Sequence, residues 1–173
     1  MSTSSIVICP PAPGEPEGLD YEELTDEFEA MADSHGVRVL TVPTVDYLAA
    51  DDIRTQRAHW VAALAVGIST AGLSAPIALV LIGAAGALAP AVGFSQRASR
   101  RAVSGYVLVD AEVPTIGGAH EDWPDAPVTY LHSPQAHELN VNQARLRGWN
   151  LVPLADAAPN TISAAMATLT TTL

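Results

Sequence analysis

The chain has no lysine: all eight of its basic residues are arginines. That absence excludes Schiff-base catalysis, pyridoxal-phosphate anchoring and a phosphate-loop lysine together. Positive charge is scarce as well. Eight arginines stand against 19 Asp and Glu, for a formal net charge of −11. A phosphate backbone or an anionic lipid surface is therefore repelled over most of the molecule, and neither nucleic acid nor a membrane is an expected partner. The single cysteine, Cys9, can close no internal disulfide, and no Cys-x-x-Cys or Cys/His pair has metal spacing. Disulfide scaffolds and structural zinc fall away, no cofactor or metal is expected, and the usage fits a reducing cytoplasm. The opening MSTSSIVIC lacks a basic run and has too short an apolar one for a secretory leader, so a cytoplasmic location is expected.

Charge is missing altogether from residues 60–95. The stretch is broken by Gly67, Gly72, Pro76, Gly83, Gly86, Pro90 and Gly93 and is rich in alanine rather than leucine, which argues against a membrane helix. It divides instead into the end of an amphipathic helix and the short apolar run IALVLIG, the pattern of a central parallel strand buried on both faces.

What the chain does have is a recurrence of such runs. Residues 5–9 (SIVIC), 37–42 (VRVLTV), 77–83 (IALVLIG), 105–111 (GYVLVDA), 128–132 (VTYLH) and 150–154 (NLVPL) read as six strands. Helical patterns fall at 21–34, 51–71, 87–98, 135–147 and 161–171, while 112–127 reads as loop. The alternation predicts an α/β protein with a doubly wound, mostly parallel six-stranded sheet, and its 173 residues, 49% of them hydrophobic, suit one domain over 1–173. The acidic run 15–29 holds eight carboxylates and opens the first helix, where negative charge suits the helix dipole. No Asp-x-Asp-Gly loop accompanies it, and it reads as a solvated face.

In such sheets functional groups gather at the carboxyl ends of the strands. After the third strand stands Gly83-Ala84-Ala85-Gly86-Ala87, a small-residue strand-to-helix turn shaped like a nucleophile elbow, with Ala85 at its tip. Four blocks in order, VLIGAAGALAP (80–90), GYVLVDAEVP (105–114), DWPDAPVTYL (122–131) and ARLRGWNLVPL (144–154), resemble the α/β-hydrolase superfamily, in particular its short actinobacterial members. The resemblance implies strand order 2-1-3-4-5-6 in a reduced α/β-hydrolase-like core. It also implies that residues 112–127 are a vestige of the family's lid, leaving a pocket that is shallow or covered by a second copy or another chain.

The catalytic residues that the resemblance would carry over are missing. The serine falls on Ala85, its neighbouring histidine on Ala84, and the region of the catalytic histidine, ADAAPN (155–160), contains none. The acid expected after strand five has only Glu138 to fill it. A methyl group cannot attack a carbonyl, so serine-hydrolase chemistry is excluded at this position.

Other groups share the rim. Asp110 and His132, each ending a strand, are the candidate proton-handling residues, with the Ala85 backbone N–H as an oxyanion donor. Cys9, Pro11, Ala84, Ala85, Glu112, His120 and Trp123 are the candidate ligand contacts, and no metal site is assigned. His120-Glu121-Asp122, His137, Glu138 and Asp156 also fall near the rim, whereas His35 and His59 do not. Two expectations follow. The first is a small-molecule ligand, of a kind met in natural-product pathways, undergoing cyclisation, elimination or epimerisation without a covalent intermediate. The second is a non-catalytic binding or scaffold protein, whose edge strand VRVLTV could pair with a partner. A flavodoxin-like module is disfavoured because Pro10, Pro11 and Pro13 remove the N–H donors that a phosphate loop needs.

Overall fold

The structure, a computed structural model, describes residues 5–14, 20–42, 52–115 and 122–170. Its strands are β1 (Ser5–Ile8), β2 (Arg38–Thr41), β3 (Ile77–Ile82), β4 (Val103–Val109), β5 (Val128–His132) and β6 (Asn150–Pro153). Its α-helices are α1 (Tyr21–His35), α2 (Ile53–Thr70), α3 (Ala89–Ala98), α4 (Glu138–Leu146) and α5 (Pro159–Thr170). The six strands form one sheet in the order β2-β1-β3-β4-β5-β6, and every neighbouring pair is parallel.

Side-chain alternation sorts the sheet into two faces, as a doubly covered sheet requires. In β1 and the residue after it, Val7 and Cys9 face one core, while Ile6 and Ile8 face the other. In β3, Ile77, Leu79 and Leu81 join the first core, Ala78 and Val80 the second. The first core is completed by Trp60, Leu64 and Ile68 of α2, Val92 of α3 and Ala144 of α4. The second is completed by Leu24, Phe28 and Met31 of α1 and by Ile162, Met166 and Leu169 of α5. The charge-free stretch is therefore helix, central strand and helix, and no helix among the described residues is long and apolar enough to cross a membrane.

Local chemistry places the ends. Asp20 caps α1 by accepting from Glu23 N–H at 3.0 Å, and Gly36 closes it in the left-handed conformation (φ 66°). Asp52 caps α2 through Thr55 N–H at 2.9 Å and Thr55 Oγ1 at 2.6 Å, and these bonds hold its carboxyl below the usual range. Most boundaries shift by one to three residues from the sequence reading, and two of these shifts lie after strand ends at the rim. The helix expected from residue 87 begins at Ala89, because Gly83–Leu88 winds as a 3₁₀ segment. The helix expected from residue 135 begins at Glu138, where His137 Nδ1 accepts the Leu139 N–H at 3.2 Å as its cap.

Candidate functional site

The turn after β3 lies where an elbow would, but it is built differently. An elbow keeps its nucleophile exposed on a strained, sharp turn. Here the positive φ falls on Gly83 (54°) and not on Ala85. Ala85 is fully buried and Ala84 nearly so. The cover comes from the chain itself: Glu112 N–H donates to Gly83 O at 2.8 Å, which lays the exit of β4 across the turn. A Cβ on Gly86 would stand 2.5 Å from Glu112 O and 2.6 Å from Ala111 Cβ, so this crossing needs glycine. Ala84 and Ala85, expected as ligand contacts, are packed inward, and the β4 exit lies over the turn.

Asp110, the last residue before that crossing, has φ 44°. Its Oδ1 accepts Ser133 N–H at 2.7 Å and its Oδ2 accepts Ser133 Oγ–H at 2.6 Å. Both carboxylate oxygens therefore hold the exit of β5 against the exit of β4. His132, one residue earlier, is half-buried; its carbonyl accepts Leu154 N–H at 2.8 Å, and its ring makes no hydrogen bond among the described residues. Asp110 and His132 do lie at neighbouring strand ends, but the hydrogen bonds of Asp110 go to Ser133.

Cys9 faces the core and is 1% exposed; burial pushes its thiol up, away from the thiolate that a nucleophile needs. Pro11 is half-buried, and its carbonyl accepts Trp60 Nε1–H at 3.1 Å. Trp123 is not at the rim. A parallel β4-to-β5 connection must carry the chain back to the amino end of the sheet, and residues 122–127 run along the first core's face. There Trp123 meets Tyr106 edge-on at 5.3 Å and Trp149 at 5.7 Å. Asp125 accepts from Tyr106 Oη at 2.6 Å, and Arg97 reaches Asp122 at 3.4 Å and Asp125 at 3.5 Å. Trp123, expected to face a ligand, is partly buried and packs against the first core. His120 and Glu121 lie outside the described residues. His137 and Asp156 act locally, as the caps of α4 and of the turn into α5; bonds from Thr161 and then Ala158 lower the Asp156 carboxyl. Among the described residues no three His, Cys, Asp or Glu side chains gather as a metal set.

One rim feature escaped the sequence reading. A groove of about 470 Å³, lined by Ile53, Arg54, Arg57, Ala58, Val61, Leu88 and Ala91, runs between the amino-terminal half of α2 and the start of α3. Arg57 ties its mouth to the neighbouring loops: Nε–H donates to Pro13 O at 3.3 Å, and the guanidinium lies 3.9 Å from the Glu112 carboxylate. The signal was present, because Ile53, Arg57, Trp60, Leu64 and Ile68 recur at helical spacing and place an arginine in line with three buried residues. Of the expected ligand contacts, Glu112 falls beside this groove, its carboxylate 3.9 Å from the Arg57 guanidinium.

No family model matches the sequence. No curated protein matches it either. Solved structures do match. A pyrethroid hydrolase from Sphingobium faniae is 12% identical with a TM-score of 0.64, covering 98% of both chains. The RedJ thioesterase of the prodiginine pathway in Streptomyces coelicolor is 15% identical with a TM-score of 0.63, covering 99% of this chain and 86% of its own. A protein of the α/β hydrolase superfamily from Xanthomonas campestris pv. campestris is 16% identical with a TM-score of 0.64, covering 98% of this chain and 99% of its own. The chain has the α/β-hydrolase fold, with the strand order that the resemblance implied.

Proposed function

We propose that this chain is a small-molecule binding protein on an α/β-hydrolase fold, which holds an organic ligand at the carboxyl rim of its sheet and performs no hydrolysis. The observation that carries the reading is Ala85, a methyl group at the elbow position, buried beneath the chain's own β4 exit. Hydrolysis by the fold's usual route needs an exposed nucleophile and an imidazole to activate it. The apolar groove between α2 and α3 has the roughly 300–1,000 Å³ size of small-molecule sites.

Non-hydrolytic proton transfer, such as cyclisation, elimination or epimerisation, is the second reading. It is favoured by the half-buried His132 ring, which makes no hydrogen bond among the described residues. The Asp110 carboxylate supports the first reading, since both its oxygens are already engaged by Ser133. A ligand-observed and methyl-resonance NMR screen of small organic molecules separates the two. Binding that shifts Ile53, Val61 and Ala91 while the compound persists unchanged supports the binding protein. Chemical conversion of a bound compound, abolished by His132→Ala, supports the second reading. Absence of any shift at those three residues overturns the rim site.

A further inference from the structure

We infer that the groove between α2 and α3 takes a small organic carboxylate, with Arg57 holding the anionic head and Ile53, Val61, Leu88 and Ala91 enclosing the hydrocarbon body. This rests on the binding reading above and names the ligand class for that site.

The charge distribution carries the argument. The chain's net charge is −11 and it has eight basic residues in all, yet two of them, Arg54 and Arg57, line this one groove, whose other described lining residues are apolar. A neutral ligand gains less from that pairing than an anion, and a cation is opposed by it. A monoanion with an apolar tail satisfies both parts, because the tail is withdrawn from water while the head meets a guanidinium.

Arg57 is prepared for that role. Among the described residues its guanidinium makes one hydrogen bond, Nε–H to Pro13 O, which fixes the side chain from one side. A guanidinium has five N–H donors arranged as a fork that matches a carboxylate. The Glu112 carboxylate, at 3.9 Å, lies outside hydrogen-bond range, and its side chain is 53% exposed. A contact of that kind is worth little, so Glu112 occupies the approach to Arg57 without consuming the fork. An incoming carboxylate displaces it and gains the short, charge-assisted bonds that Glu112 does not make. Glu112 is then a competitor for Arg57, and removing its charge strengthens binding.

Isothermal titration of the full chain with octanoate and with octanamide, which shares its tail but lacks its charge, tests this. The expected result is one octanoate per chain, bound about tenfold more tightly than octanamide, the size of one charge-assisted hydrogen bond. Arg57→Gln removes the preference, whereas Glu112→Gln raises octanoate affinity and leaves octanamide unchanged. Equal binding of the two compounds, or a preference that survives Arg57→Gln, overturns the carboxylate assignment and leaves the binding reading standing. Failure of octanoate to bind overturns it as well, and the NMR screen then decides the binding reading separately. If Arg57→Gln does not unfold cooperatively, Glu112→Gln carries the test, and unchanged octanoate affinity overturns the inference.

Discussion

Ala85, Gly86 and Asp110 together shape the turn after β3. Ala85 places a buried methyl group at its tip, Gly86 lets the β4 exit cross over the turn, and Asp110 fastens that exit to β5 through Ser133. Gly86→Ala drives a methyl into Glu112 O and Ala111 and is expected to cost about 1–3 kcal/mol by overpacking, measured by denaturant unfolding. Asp110→Ala leaves the Ser133 N–H and hydroxyl without their charged acceptor; a loss of about 2–3 kcal/mol is expected in the same measurement. Cys9 is expected to resist a thiol reagent in the native protein and to react only on unfolding, since burial disfavours its thiolate. The tyrosines give the pH dependence. Burial raises Tyr21, Tyr106 and Tyr130 above the ordinary phenol range, with Asp125 adding to the effect at Tyr106. The folded state therefore keeps these protons where the unfolded chain has begun to release them, so the stabilisation is intact below about pH 10 and is lost as pH rises further. Phenolate absorbance of these residues is expected to appear together with loss of near-ultraviolet circular dichroism, not ahead of it.

The elements themselves were legible in the sequence wherever period and composition agreed. VTYLH gave β5 with its bounds unchanged, and IALVLIG gave the central strand, because a parallel strand covered on both faces has to be apolar throughout. The 3₁₀ segment at Gly83–Leu88 was not legible: GAAGAL is compatible with a sharp elbow or a relaxed turn, and only the crossing by Ala111 and Glu112 decides between them. Read from composition alone, 112–127 is a cap at the rim; composition says nothing about the direction in which the chain must return, and Trp123 and Ala126 pack, partly buried, against the first core. Trp123→Ala is accordingly expected to destabilise the protein by about 2 kcal/mol, less than the truncation of a fully buried aromatic, while leaving ligand affinity at the α2–α3 groove unchanged. A loss of affinity without loss of stability would return Trp123 to the ligand site. Arg57 is readable from the spacing of α2, but it lies along a helix face and not at a strand end, where α/β sheets usually gather their functional groups.

Across the molecule, the sheet and its helices follow the α/β-hydrolase order, the β4 exit covers the turn after β3, and a groove opens between α2 and α3. The proposed reading requires that this chain carry no serine-type nucleophile. Incubation of the intact protein with a fluorophosphonate, followed by intact-mass measurement, reads this out. An unchanged mass is expected, with a serine hydrolase treated in parallel gaining the phosphonyl adduct. Stoichiometric addition of one phosphonyl group to this chain would contradict it.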